Sequence, residues 1–180
     1  MILFYERKVT PPMKSMKPTT RILTRSALIA ALYLLLNLVF EAISFGAVQF
    51  RIAEAFTLLP VLMPEAVAGL AIGCLLGNLL GGAVWFDVVF GTLATLLAGL
   101  ATRRLRSKPA LAAAMPVLFN GIIVGPVVYL AYVRAPGAPV QVGLLLSTMF
   151  TVALGEAVVC YVLGLPLLRL MRRLPSELLK

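Results

Sequence analysis

Four stretches of this chain, at 22–44, 84–102, 110–132 and 142–168, are strongly apolar, and each is long enough to cross a lipid bilayer. A hydrocarbon core of roughly 30 Å takes about 20 residues of helix at about 1.5 Å per residue. Inside lipid every backbone N–H and C=O must be satisfied by the protein itself, so lipid-spanning runs of this kind are restricted to helices. Charged residues make up only 13% of the chain and the mean hydropathy is +1.01, which argues against a soluble domain. One membrane domain, 21–174, accounts for nearly the whole length. It is flanked by 1–20, read as a disordered cytoplasmic tail with Pro11, Pro12, Pro18 and scattered Lys, and by a short cytoplasmic tail at 175–180. Met13 and Met16 are alternative starts. No small-residue cleavage site follows Arg25, so the first span is read as uncleaved.

The region 52–82 is either one overlong helix or two short ones broken at Pro60 and Met63-Pro64-Glu65. Charge decides. Lys and Arg fall in three groups, Arg7 to Arg25, Arg103 to Lys108 and Arg169 to Lys180, with only Arg51 and Arg134 elsewhere. Two helices in 52–82 bring all three groups to one side of the membrane, as positive-inside orientation requires. Proline also disfavours helix at the residue before it, which supports a break at 63–64. The expected fold is therefore all-α, a bundle of six transmembrane helices with both termini cytoplasmic, in a multi-pass protein of the plasma membrane. The same clustering beside helix ends speaks against nucleic acid as the partner of the +9 net charge.

Within this frame, 41–54 stands out because it places Glu41, Gln49, Arg51 and Glu54 where the chain turns back into the bilayer. Ionisable groups there are costly unless they pair or hold something. Glu156 lies about 13 residues, roughly 20 Å, from Arg169, and Asn120 about 10 residues, roughly 15 Å, into its span, so both fall near mid-membrane. Asn78, Trp85 and Asp87 join Glu54 on the outer side. Glu41, Gln49, Arg51, Glu54, Asn78, Asp87, Asn120 and Glu156 can thus converge on one outward-facing cavity. Carboxylates outnumber arginine there, which favours a ligand that donates hydrogen bonds or carries positive charge. Other readings stand beside this one. Arg51 and Glu54, three residues apart, can neutralise each other; Asp87 can serve the helix dipole; Asn78 and Asn120 can join helices. Glu65 is expected to be solvated.

Gly69, Gly73, Gly77 and Gly81 form a stripe suited to close helix packing, and Ala27 and Ala31 form a second small-residue face, suited to internal packing or to docking. Cys74 and Cys160 read as packing residues, and the absence of histidine removes His-based proton chemistry and His-containing metal sites. There is no phosphate-binding loop, nucleophile elbow or zinc spacing, so no catalytic residue, metal or cofactor is expected. A chain of this kind binds or conducts, or depends on an energising partner.

Residues 41–60, Gly-Cys-Leu-Leu-Gly-Asn-Leu at 73–79, 87–97 and 152–167 resemble, in order, the motifs of the QueT family, substrate-binding (S) components of energy-coupling factor (ECF) transporters for queuosine precursors. The resemblance runs from about 22 to 173. It implies a six-helix bundle of the S-component type that works with a transmembrane scaffold subunit and two cytoplasmic ATPases, Ala27 and Ala31 facing the scaffold. It implies a 7-deazaguanine substrate, such as the aminomethyl or cyano form or queuine, covered by a loop carrying Phe45, Gly46 and Phe50. Glu54 or Glu156 would take the guanine-type donors, with Asn78 and Asn120 on other edges. Arg51 would meet the ring carbonyl, and Trp85, Phe45 and Phe50 would stack on or cover the ring. The alternative reading is a proton-coupled carrier acting alone through Glu156, and a third is a membrane scaffold without ligand.

Overall fold

The structure is a computed structural model and describes residues 18–44 and 50–174. Phe45, Gly46 and Gln49, and nearly all of the two tails, lie outside the described residues. Among the described residues six helices follow one another without a strand. They are α1 (Pro18–Val39), a 3₁₀ helix (Ile52–Val61), α2 (Ala66–Leu80), α3 (Trp85–Arg104), α4 (Pro109–Val133) and α5 (Val142–Met171), with one further turn, Glu41–Ser44, after α1. α1, α3, α4 and α5 are long and apolar enough to cross a membrane. The other two are not: 15 residues of α-helix reach about 22 Å and ten of 3₁₀ helix about 20 Å. The break expected at 63–64 is present, within 62–65, while Pro60 lies inside the 3₁₀ helix.

Apolar on nearly every side, the 3₁₀ helix is the axis of the bundle. Eight of its ten residues are buried, and it packs against all five other helices. α1 and α2 lie side by side because the glycine stripe permits it. A Cβ on Gly69 would fall 2.6 Å from the Ser26 carbonyl oxygen, on Gly73 2.8 Å from Tyr33 Cβ, and on Gly77 2.9 Å from Asn37 Nδ2. Ala27 and Ala31, by contrast, face outward, so they take no part in packing inside this bundle.

α4 and α5 contain wider π-type turns at Asn120–Val124, Tyr129–Val133 and Val159–Gly164. Two of these end just before Pro126 and Pro166. A proline withholds an N–H and crowds the carbonyl four residues back, and an enlarged turn relieves both defects.

Arginines hold the turn that follows the 3₁₀ helix. Arg25 pairs with Glu65 at 3.0 Å, and Arg103 donates to the carbonyls of Pro60 (3.1 Å) and Val61 (3.3 Å), which the end of the 3₁₀ helix leaves open. Glu65 is therefore held in an ion pair with its side chain only 6% exposed, and not solvated as its position in a turn suggests. The outer surface is mostly Leu, Ile, Val and Phe, as a lipid-facing surface must be.

Candidate functional site

Regular spacing on each helix brings polar side chains to the interior. Residues three apart eclipse one another on a 3₁₀ helix, so Arg51, just before it, and Glu54 and Thr57 on it form a row. On α-helices the matching interval is four. It aligns Tyr33 with Asn37 on α1, Cys74 with Asn78 on α2, Asp87 with Gly91 and Thr95 on α3, and Thr148 with Val152, Glu156 and Cys160 on α5. All of these are buried.

Two connected networks result. In the first, Arg51 Nη2 donates to Asp87 Oδ2 at 2.7 Å and to Asn78 Oδ1 at 3.3 Å, while its Nε reaches the Ser44 carbonyl at 3.5 Å. Asn78 Nδ2 donates to the Asp87 carbonyl at 3.0 Å. Gly91 leaves room for this pair, since a Cβ there would lie 2.8 Å from Asp87 Oδ1 and 3.0 Å from Asn78 Nδ2. In the second network, the Tyr33 hydroxyl donates to Glu54 Oε1 and the Thr57 hydroxyl to the Glu54 carbonyl. The Cys160 thiol donates to Glu156 Oε1 at 3.3 Å and lies 3.7 Å from Thr57 Oγ1.

Between the networks is a small cavity lined by Arg51, Asn120, Val124, Val152 and Glu156. Its volume is about 10 Å³, close to the space of one water molecule. Among the described residues, Glu54 Oε2, Asp87 Oδ1 and both amide atoms of Asn120 are buried without a hydrogen-bond partner. Buried polar atoms of this kind need a partner from beyond these side chains. Chemically, the cavity offers carboxylate and amide oxygens to donors, with one guanidinium to meet an acceptor. No group of three or more His, Cys, Asp or Glu side chains that could hold a metal ion occurs among the described residues.

Of the residues singled out from the sequence, Arg51, Glu54, Asn78, Asp87, Asn120 and Glu156 come together here. Trp85 does not: it is 64% exposed and stacks on Phe86 with ring centroids 3.9 Å apart. Phe50 is exposed, at 38%, and Glu41 is exposed as well. The hydrogen-bonded ion pair joins Arg51 to Asp87 and not, as one sequence reading had it, to Glu54, whose carboxylate is held by Tyr33. Asp87 still lies in the first turn of α3, where the helix dipole favours it, but its main partner is Arg51.

Sequence reasoning missed Tyr33, Thr57 and Thr95 and dismissed both cysteines. Thr95 Oγ1 donates to Cys74 Sγ at 3.3 Å, and Cys160 bridges Thr57 and Glu156. A signal was present: Tyr33 and Asn37 are four apart in an otherwise apolar helix, and Cys160 follows Glu156 by four.

The profile of the QueT transporter family matches residues 23–173. "Queuosine precursor transporter QueT" of Lactococcus lactis subsp. cremoris (strain MG1363) is 36% identical over 73 residues, 39% of this chain and 43% of that protein. The matched stretch thus spans less than half of the relative. No solved structure matches the chain. With four helices able to cross a bilayer, the molecule is a multi-pass membrane protein. From the match over residues 23–173, the chain belongs to the QueT transporter family.

Proposed function

We propose that this protein is the membrane-embedded binding component for a queuosine precursor, a 7-deazaguanine, and that it delivers the base to an ECF module for ATP-driven uptake. The observation that carries the reading is the small polar cavity where Arg51, Asn120 and Glu156 meet, beside the buried carboxylate oxygens Glu54 Oε2 and Asp87 Oδ1, which have no hydrogen-bond partner among the described residues. The guanine-like edge of a deazaguanine offers an N–H and an amino group side by side, which Glu54 or Glu156 accepts. Arg51 meets the ring carbonyl, and Asn120 supplies both a donor and an acceptor. The printed name of the Lactococcus lactis relative supports the substrate class.

The bundle has six membrane-crossing segments of the S-component type, with the short 3₁₀ helix and α2 as two of them. Both termini and the clusters Arg103–Lys108 and Arg169–Arg173 lie on the cytoplasmic side, in accord with positive-inside orientation. A cavity of about 10 Å³ is far too small for a fused bicyclic base, so binding separates its walls. The outward-facing Ala27 and Ala31 give the scaffold subunit a surface on which helices approach closely.

The test is a thermal-shift series with the purified protein and the aminomethyl, cyano and free-base deazaguanines. A ligand at about 100 times its Kd adds about 2.7 kcal/mol of stability. Glu54→Gln and Glu156→Gln are expected to stay folded and to lose most of that shift. Equal stabilisation of both variants and the parent protein would remove these carboxylates from the site, and no stabilisation by any deazaguanine would remove the substrate.

A further inference from the structure

α3 and α4 are joined by a short turn at 105–108 and run in opposite directions, so Trp85 at the start of α3 and Arg134 just past α4 lie at the same end of the bundle. The two helices pack closely over the first half of α4, up to Val124, and part toward its end. There α4 is held against α5 instead: a Cβ on Gly121 would lie 3.0 Å from Ala153 Cβ, and one on Gly125 2.8 Å from Met149 Cα. The seam left beside α3 is a groove of about 630 Å³, lined by Trp85, Phe86, Phe90, Ile122, Pro126 and Leu130 among others. That volume falls in the range of ligand pockets, about 300–1,000 Å³. Through Leu130 and Ala131 the groove continues into a second recess, along 130–137, which holds Arg134. No acidic side chain lines either part. Arg134 Nε donates to the Ala138 carbonyl at 2.7 Å, which fixes the side chain in its turn, and among the described residues its guanidinium forms no ion pair.

We propose that this seam binds an anionic phospholipid, with one acyl chain lying between α3 and α4 and the phosphate resting on Arg134. Trp85 is 64% exposed at the end of an apolar helix, the place where tryptophan marks the membrane–water interface. The apolar groove then lies at the depth of lipid chains and Arg134 at the level of headgroups. A phospholipid satisfies both parts at once. Its tail fills a groove without charge, and its negative head meets a guanidinium, whose paired N–H donors match phosphate oxygens. A partner helix in the seam would leave Arg134 unanswered unless it brought a carboxylate to that point. The seam is separate from the polar interior, since Arg51, Asn120 and Glu156 line neither of its parts.

Trp85 is the only tryptophan of the chain, so its fluorescence reports on this groove. The experiment titrates the full chain, purified in a neutral detergent, with phosphatidylglycerol or phosphatidylcholine carrying the same brominated acyl chains, which quench tryptophan on contact. The expected result is half-quenching at a concentration about fivefold lower for phosphatidylglycerol, the effect of one arginine at an anionic surface. Arg134→Gln is expected to abolish that preference, and Arg134→Lys to keep most of it. Arg106→Gln, which removes the same charge from the turn at 105–108, is expected to leave the preference intact. Equal quenching by the two lipids in the parent protein overturns the proposal. So does an equal loss of preference in Arg134→Gln and Arg106→Gln, which would reduce it to attraction by the net charge. Loss in Arg134→Lys as well would trace the preference to the turn and overturn the role of the charge. No quenching by either lipid would mean that the seam is closed to lipid, as a helix lodged in it would make it, and overturns the proposal too.

Discussion

A guanidinium held at 4% exposure beside a fully buried carboxylate, as Arg51 is beside Asp87, has left water at a cost that only close pairing offsets. Removing one partner should therefore hurt more than removing both. Asp87→Asn is expected to destabilise the protein by about 3–5 kcal/mol, because it strands the Arg51 charge. Adding Arg51→Met to it should restore much of that loss without restoring ligand binding. Thermal unfolding of the single and double variants checks the first part, and deazaguanine titration the second. A double variant less stable than the single would mean that Arg51 holds the fold through contacts other than Asp87. Much of this was readable from residue types: an arginine and carboxylates in apolar surroundings have to be paired or used. Which carboxylate pairs with Arg51 was not readable. Glu54 is three residues away in the chain and Asp87 is 36, but the turn before the 3₁₀ helix aims the guanidinium at the start of α3.

The 3₁₀ helix, α1 and α2 set where the site sits. Ten residues in 3₁₀ form is an unusually long run, and here it puts Arg51, Glu54 and Thr57 on one line facing the interior. An α-helix would turn each step of three residues about 60° away from that line. The glycine stripe brings Tyr33 close enough to reach Glu54. Gly73→Ala would put a methyl group 2.8 Å from Tyr33 Cβ and 2.9 Å from the Ala30 carbonyl, with backbone on one side and no room to yield. It should cost about 1–3 kcal/mol and weaken ligand binding by displacing Tyr33. Gly99→Ala meets nothing nearer than 3.6 Å and should be neutral or slightly stabilising, since alanine favours helix. Unfolding midpoints for the two variants test the contrast, and equal effects would show that the stripe does not govern the α1–α2 contact. The stripe was evident in the sequence as a packing face, though its partner was not. Periodicity names the face of a helix and is silent about what meets it.

At the scale of the whole molecule, no phosphate-binding loop is present in the sequence, and the proposed function takes the energy for uptake from partner subunits. Vesicles containing this chain alone should bind a deazaguanine without accumulating it, even across an imposed pH gradient. Accumulation should appear only when the scaffold and both ATPases are present with ATP. Accumulation driven by a pH gradient in vesicles of the lone chain would favour the carrier reading, with Glu156 as a proton relay.

Hydrophobic length and the placement of arginine determined, from the sequence alone, a helical membrane protein and a break within 52–82, because lipid tolerates so few other arrangements of backbone and charge. Residue chemistry also marked Arg51, Glu54, Asn78, Asp87, Asn120 and Glu156 as members of one interior. Tertiary structure alone decided that Asp87 and not Glu54 takes Arg51 in the ion pair, that Tyr33 and the two cysteines join the networks, and that Trp85 faces away from them. The reason is physical. Burial cost is a property of a side chain and can be read from its type. The choice among several possible partners depends on helix rotation, which the 3₁₀ turn, the glycine stripe and the proline-linked π turns set only once the helices have packed.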